Sequence, residues 1–95
     1  MKIVVNVCWG GYGLSKEAYD FLGEDWDNYG FLYDKDRANP KLVECVEKLG
    51  SKANGSMSEL KIVEIPDGIE YEINDYDGIE QIIEPRIVWS WKKHK

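Results

Sequence analysis

"KIVVNVCWGGYGLSKEA", residues 2 to 18, runs from an almost unbroken apolar stretch through three glycines into a serine followed by helix-forming residues. The β-branched run at residues 2 to 8 has the composition of a strand covered on one face and at least partly on the other, with Asn6 as its one polar interruption. Ser15 is a good N-cap for a helix over residues 16 to 22, supported by Glu17 in the first turn and by Leu14 and Tyr19 at staple spacing; Gly23 ends it. Strand, glycine turn and helix start are therefore specified within one short segment.

Downstream, Asn39 caps and Pro40 takes the first position of a second helix, along which Leu42, Cys45, Val46 and Leu49 recur at helical spacing before Gly50 stops it. The segment between the helices, "EDWDNYGFLYDKDRA" at 24 to 38, mixes acids with aromatics and shows no clear period. It predicts an ordered loop with a short strand at Phe31 to Tyr33. "SKANGSMS" is a polar connector, "ELKIVEI" a strand closed by Pro66-Asp67-Gly68, and "IEYEI" alternates so that Ile69, Tyr71 and Ile73 face inward while Glu70 and Glu72 face water. Asp77-Gly78 is a hairpin turn signal leading into "IEQII", whose spacing suits either a strand or a helical turn. After Pro85, Ile87, Trp89 and Trp91 alternate like a last edge strand. The expected fold is α+β: a small mixed β-sheet in the order β-α-α-β-β-β, with both helices on one face, in a single domain over residues 1 to 95.

The 95 residues carry a net charge of -6, and the one dense basic run is "KKHK" at 92 to 95. A protein that tracks a nucleic-acid backbone needs a basic surface to displace counterions, so a nucleic-acid polymer is not the expected partner. No apolar run is long enough to span a membrane and no signal-peptide cleavage pattern follows the start, so cytoplasmic residence is expected. Cys8 and Cys45 are then expected as reduced thiols rather than a disulfide.

A glycine turn between a strand and a helix presents backbone N–H groups and the positive end of a helix dipole to an anion. Gly10, Gly11, Gly13 and Ser15 fit that arrangement, although the spacing matches neither common phosphate-loop motif and the phosphate-binding lysine is absent. Trp9 and Tyr12 flank the glycines as rings able to stack, and Arg37 is the candidate counter-charge. Cys8 ends the strand as phosphatase cysteines do, but position 14, where the arginine of such a loop belongs, is Leu. Residues 25 to 36 approach a calcium loop, with Asp25, Asp27, Gly30 and Asp36 in place; Tyr29 stands at a ligand position and the last ligand is Asp instead of Glu. His94, in the tail, is the only histidine, so nucleophilic catalysis has no placed base. No catalytic residue, metal ligand or cofactor is therefore assigned.

Taken together, "KIVVNVCWGGYGLS", "NPKLVECVEKLGSKANG", "ELKIVEIPD" and "EYEINDYDG" resemble a family of small uncharacterised proteins encoded by bacteriophages. The resemblance covers most of the chain and fades over residues 24 to 36 and after Ile79. It implies a phage protein acting in the bacterial cytoplasm, and by analogy one that counters host defence; it supplies no site residues. The leading expectation is a non-enzymatic module that binds a small anionic ligand, a nucleotide, through Trp9, Gly10, Gly11, Tyr12, Gly13, Ser15 and Arg37, and so sequesters a host defence signal. The alternatives are a protein-interaction module that inhibits a host protein, through segment 24 to 36 or the Trp89 and Trp91 edge, and a Cys8-dependent hydrolase. Edge strands in so small a sheet also admit a homo-oligomer.

Overall fold

Strand β1 (Lys2–Asn6) pairs antiparallel with β2 (Leu60–Glu64), Lys2 lying opposite Glu64 and Asn6 opposite Leu60. The computed structural model describes residues 1–83, 88 and 89. Between the two strands run α1 (Lys16–Leu22) and α2 (Pro40–Leu49), followed by a short 3-10 turn at Gly50–Ala53. The predicted caps form: the Ser15 side chain accepts from the Ala18 N–H and the Asn39 side chain from the Lys41 N–H. Gly23 adopts the left-handed conformation that ends α1.

Because successive side chains of a strand point to opposite faces, β1 contributes to two cores. Val4, with Leu60 and Ile62 of β2, packs against Tyr12, Leu14, Ala18, Tyr19, Leu42, Cys45 and Val46, so both helices cover one face of the β1–β2 sheet. Ile3 and Val5 join Val63, Ile65 and Ile82 on the other face. That face is covered by a second antiparallel sheet of β3 (Glu72–Tyr76), β4 (Ile79–Ile83) and β5 (Val88–Trp89). The α+β class and the order β-α-α-β-β-β are as expected, with β5 completing the second sheet.

Two details differ from the sequence reading. The strands form two antiparallel sheets instead of one mixed sheet, because the free edge of β1 is occupied by groups other than a strand. The Val4 N–H donates to the Arg37 carbonyl at 2.9 Å, the Arg37 guanidinium donates to the Val4 carbonyl at 3.4 Å, and the Asn6 N–H donates to the Glu80 carboxylate at 2.8 Å. β4 therefore crosses β1 through side chains and makes no backbone ladder with it. The second difference is at Phe31 to Tyr33, where a chain of turns replaces the predicted short strand. Asp34 N–H donates to the Phe31 carbonyl, Tyr33 has a φ of 62°, and the Leu32 N–H is taken by the Tyr19 hydroxyl.

The hairpin forms as the Asp77-Gly78 pair predicts, both residues at positive φ (53° and 90°) and Tyr76 opposite Ile79. "IEQII" is a strand. β3 begins three residues beyond the start of the predicted strand at 69, but Tyr71 and Ile73 pack on the second core while Glu70 and Glu72 are exposed, as the alternation requires. Of the predicted last strand, Ile87 and Trp91 lie outside the described residues, as does the basic tail with His94. Among the described residues no helix is long and apolar enough to cross a membrane.

Candidate functional site

The glycine turn is held from three sides. Asn6 is fully buried at the end of β1, and its side-chain amide donates to the carbonyls of Cys8 at 2.6 Å and Gly78 at 2.5 Å; its side-chain oxygen accepts from the Glu59 N–H at 2.8 Å. One side chain thus joins the start of the turn, the approach to β2 and the tip of the β3–β4 hairpin. Three glycines are required by backbone contact: a β-carbon on Gly10 would overlap Met57, one on Gly30 the Leu14 carbonyl, and one on Gly78 the Trp9 carbonyl.

Further along, the Leu14 N–H donates to the Gly30 carbonyl at 2.8 Å and the Ser15 N–H to the Ala53 carbonyl at 2.9 Å. The Gly13 carbonyl accepts from the Gly55 N–H and from the Ser58 hydroxyl, and the Ser15 hydroxyl donates to the Lys52 carbonyl at 2.5 Å. Of the donors expected to cradle an anion, the Gly11 and Ser15 amides and the Ser15 hydroxyl are thus bonded to the protein's own chain. α1 is only seven residues long, so its dipole adds little.

Tyr12 and Arg37 turn inward, which removes them from the roles their positions in the sequence suggested. Tyr12 is buried, its hydroxyl donates to the Leu32 carbonyl at 2.5 Å, and burial pushes its phenol above the ordinary tyrosine range. Its ring face is covered by the Arg37 guanidinium at 3.8 Å, so it offers no stacking surface. Arg37, 6% exposed, forks onto the Glu80 carboxylate at 2.5 and 2.8 Å and donates from Nε to the Asp34 carbonyl at 2.8 Å. Its charge neutralises Glu80, a residue 43 positions away, and not a ligand at the turn.

What remains at the turn is an open cleft of about 460 Å³. Its floor is the backbone from Gly10 to Ser15, one wall is the connector from Asn54 to Ser58, and the other is formed by Trp26, Asn28, Tyr29 and Phe31; Lys16 is the charged side chain in the lining. Tyr29 is 74% exposed, Phe31 56% and Met57 66%. Trp9, at 65%, precedes the cleft in the chain.

The aromatic wall is held by Asp27. One of its carboxylate oxygens accepts from the N–H groups of Tyr29 at 2.8 Å and Gly30 at 2.9 Å, and the other accepts from the Tyr19 hydroxyl at 2.8 Å. The Gly30 and Tyr29 amides hold the Asp27 carboxyl below the usual range, while burial raises the Tyr19 phenol. Trp26 packs edge-on against Tyr19 with ring centres 5.0 Å apart. Asp27 thus serves as a local cap, and no cluster of metal-binding side chains forms among the described residues.

Cys8 is half-buried and borders a separate groove with Asn54, Ser58 and Leu60; Cys45 is buried in the helix-facing core, and burial raises its thiol to about 11. No histidine stands beside either thiol among the described residues.

Of the residues the sequence singled out, Gly10, Gly11, Tyr12, Gly13 and Ser15 line the cleft, whereas Trp9 and Arg37 do not. The sequence reading missed Lys16, Met57 and the connector wall; a lone Met in "SKANGSMS" was the only signal for the last two. No family model, curated protein or solved structure matches the chain.

Proposed function

We propose that the protein is a non-catalytic recognition module that binds a protein partner through the cleft at the glycine turn. One observation carries the reading: Tyr29, Phe31 and Met57, three of the large apolar side chains exposed among the described residues, line one concave site. Exposed rings around a cleft provide rigid contact area at small entropic cost and are typical anchors of an interface. Three exposed apolar side chains against the Lys16 cation in the lining favour apolar contact over anion binding. If the resemblance to phage proteins holds, the partner is a bacterial host protein and binding inhibits it.

The test is capture from bacterial lysate by the full chain, run beside a Tyr29→Ser/Phe31→Ser variant with an unchanged melting curve. The reading requires a partner retained by the native chain and lost by the variant; equal retention by both sinks it.

A small anionic ligand, a nucleotide, is the second reading. It draws support from Lys16 and Ser15 lying in the same cleft as Tyr29 and Phe31, which places a cation, a hydroxyl and two rings together. In this version Gly10, Gly11 and Gly13 keep their proposed places and Trp9 stands next to them in the chain, whereas Tyr12 and Arg37 drop out. Titration calorimetry against linear and cyclic nucleotides checks it, and Lys16→Glu must abolish any binding found. A Cys8 hydrolase would lack the usual histidine base, since the described residues contain none.

A further inference from the structure

We infer that the partner segment taken by this cleft is basic and inserts a bulky apolar side chain; the inference rests on the protein-recognition reading above. Acidic segments stand on either side of the glycine turn. On one side lies the loop carrying the aromatic wall, tied to the turn by the Leu14 to Gly30 hydrogen bond; residues 17 to 36 contain seven acidic residues and one lysine. On the other side lies the tip of the β3–β4 hairpin, tied by the Asn6 to Gly78 hydrogen bond and by the close approach of Gly78 to Trp9. Residues 64 to 80 contain seven acidic residues and no basic one.

Several of these acids are spent internally. Asp27 caps its own loop, Glu80 holds Arg37, Asp75 accepts from the Gly78 N–H, and Asp67 pairs with the terminal amine. Glu24, Asp25 and Asp77 are exposed, and no cation pairs with them among the described residues. The cleft thus has the acidic loop as one wall and the acidic hairpin tip against the far side of the glycine turn, with Lys16 the one charged side chain in its lining among the described residues. A partner that buries an apolar anchor here brings its flanking residues over these carboxylates. Acidic flanks on that partner would meet like charge across a short distance, whereas Lys or Arg flanks gain complementarity and a faster encounter. Tyr76, 70% exposed next to Asp77, extends the apolar contact on the hairpin side.

The probe is a displayed library of random peptides selected on the full-length protein, with binders to the Tyr29→Ser/Phe31→Ser variant subtracted. The expected winners carry one large aromatic or aliphatic residue flanked by Lys or Arg. They should weaken about tenfold when that anchor is replaced by Ala, and should lose affinity as salt is raised. A double variant, Asp25→Asn/Asp77→Asn, keeps the cleft and the side-chain size and should weaken the winners several-fold while removing most of their salt dependence.

Winners without basic bias, or with affinity indifferent to salt and to Asp25→Asn/Asp77→Asn, overturn the basic partner but leave the cleft reading standing. If no peptide distinguishes the native chain from the Tyr29→Ser/Phe31→Ser variant, the cleft itself is overturned. Self-association of the protein that is lost in that variant, with no peptide selected, means that the cleft takes a second copy, and also overturns the inference.

Discussion

Replacing Glu80 by Ala leaves the Arg37 guanidinium inside the protein without its counter-ion. Both side chains are almost fully buried, and the fork between them is also tied to the Asn6 N–H, the Val4 carbonyl and the Asp34 carbonyl. Removing one member of a buried pair costs about 3–5 kcal/mol, because the remaining charge has lost both water and partner. A domain of this size is stable by only about 5–14 kcal/mol, so Glu80→Ala or Arg37→Ala should remove a large share of the total. At about 4–8 °C per kcal/mol, either change should lower the melting temperature by more than 10 °C. Replacing both residues by apolar ones, Arg37→Met with Glu80→Leu, removes the stranded charge and should recover most of the loss. Recovery should stop short by about 1–3 kcal/mol, since the buried Asn6 N–H then has no acceptor. Urea denaturation followed by tryptophan fluorescence, with the m-value checked for constancy, measures all four corners of the cycle. A loss below about 1 kcal/mol in either single variant, or single losses that simply add in the double, would refute the reasoning.

Other consequences concern the turn, the loop and the thiols. Gly10→Ala places a methyl group into Met57 and should destabilise by about 1–3 kcal/mol, whereas Gly13→Ala meets no atom within 4 Å and should change stability by less than about 1 kcal/mol; similar melting points for the two would contradict the close approach. Asp27 has a depressed carboxyl, so the stability it contributes is present above the ordinary carboxylate range, near 3.8, and is lost as pH falls through its lowered value. In an acid titration by NMR, the Tyr29 and Gly30 amide signals should therefore move together, below the pH at which exposed carboxylates titrate. Cys45 is raised from 9.0 to about 11 by burial, so its neutral form stabilises the fold fully below pH 9 and loses that effect as pH rises toward 11. At pH 8 a thiol reagent should modify Cys8 first and reach Cys45 only on unfolding, as intact-mass measurement with and without urea will show.

Features written in neighbouring residues were legible in the sequence. The Ser15 and Asn39 caps, the glycine stops, the Asp77-Gly78 hairpin and the in–out alternation from Glu70 to Ile73 each depend on local backbone preference and on which face of an element is apolar. The sequence alone thus determined the α+β class, the order of elements and the position of the glycine turn. It did not reveal where Arg37 would send its charge, because the choice between Glu80 and a ligand depends on which carboxylate loses its water beside the guanidinium. Nor did it reveal that β1 would have its second edge closed by those two residues, splitting the strands into two sheets. The cleft is likewise a tertiary product: residues 10 to 15, 26 to 31 and 54 to 58 share no local pattern, and meet only because carbonyls and amides of each need partners that the others supply.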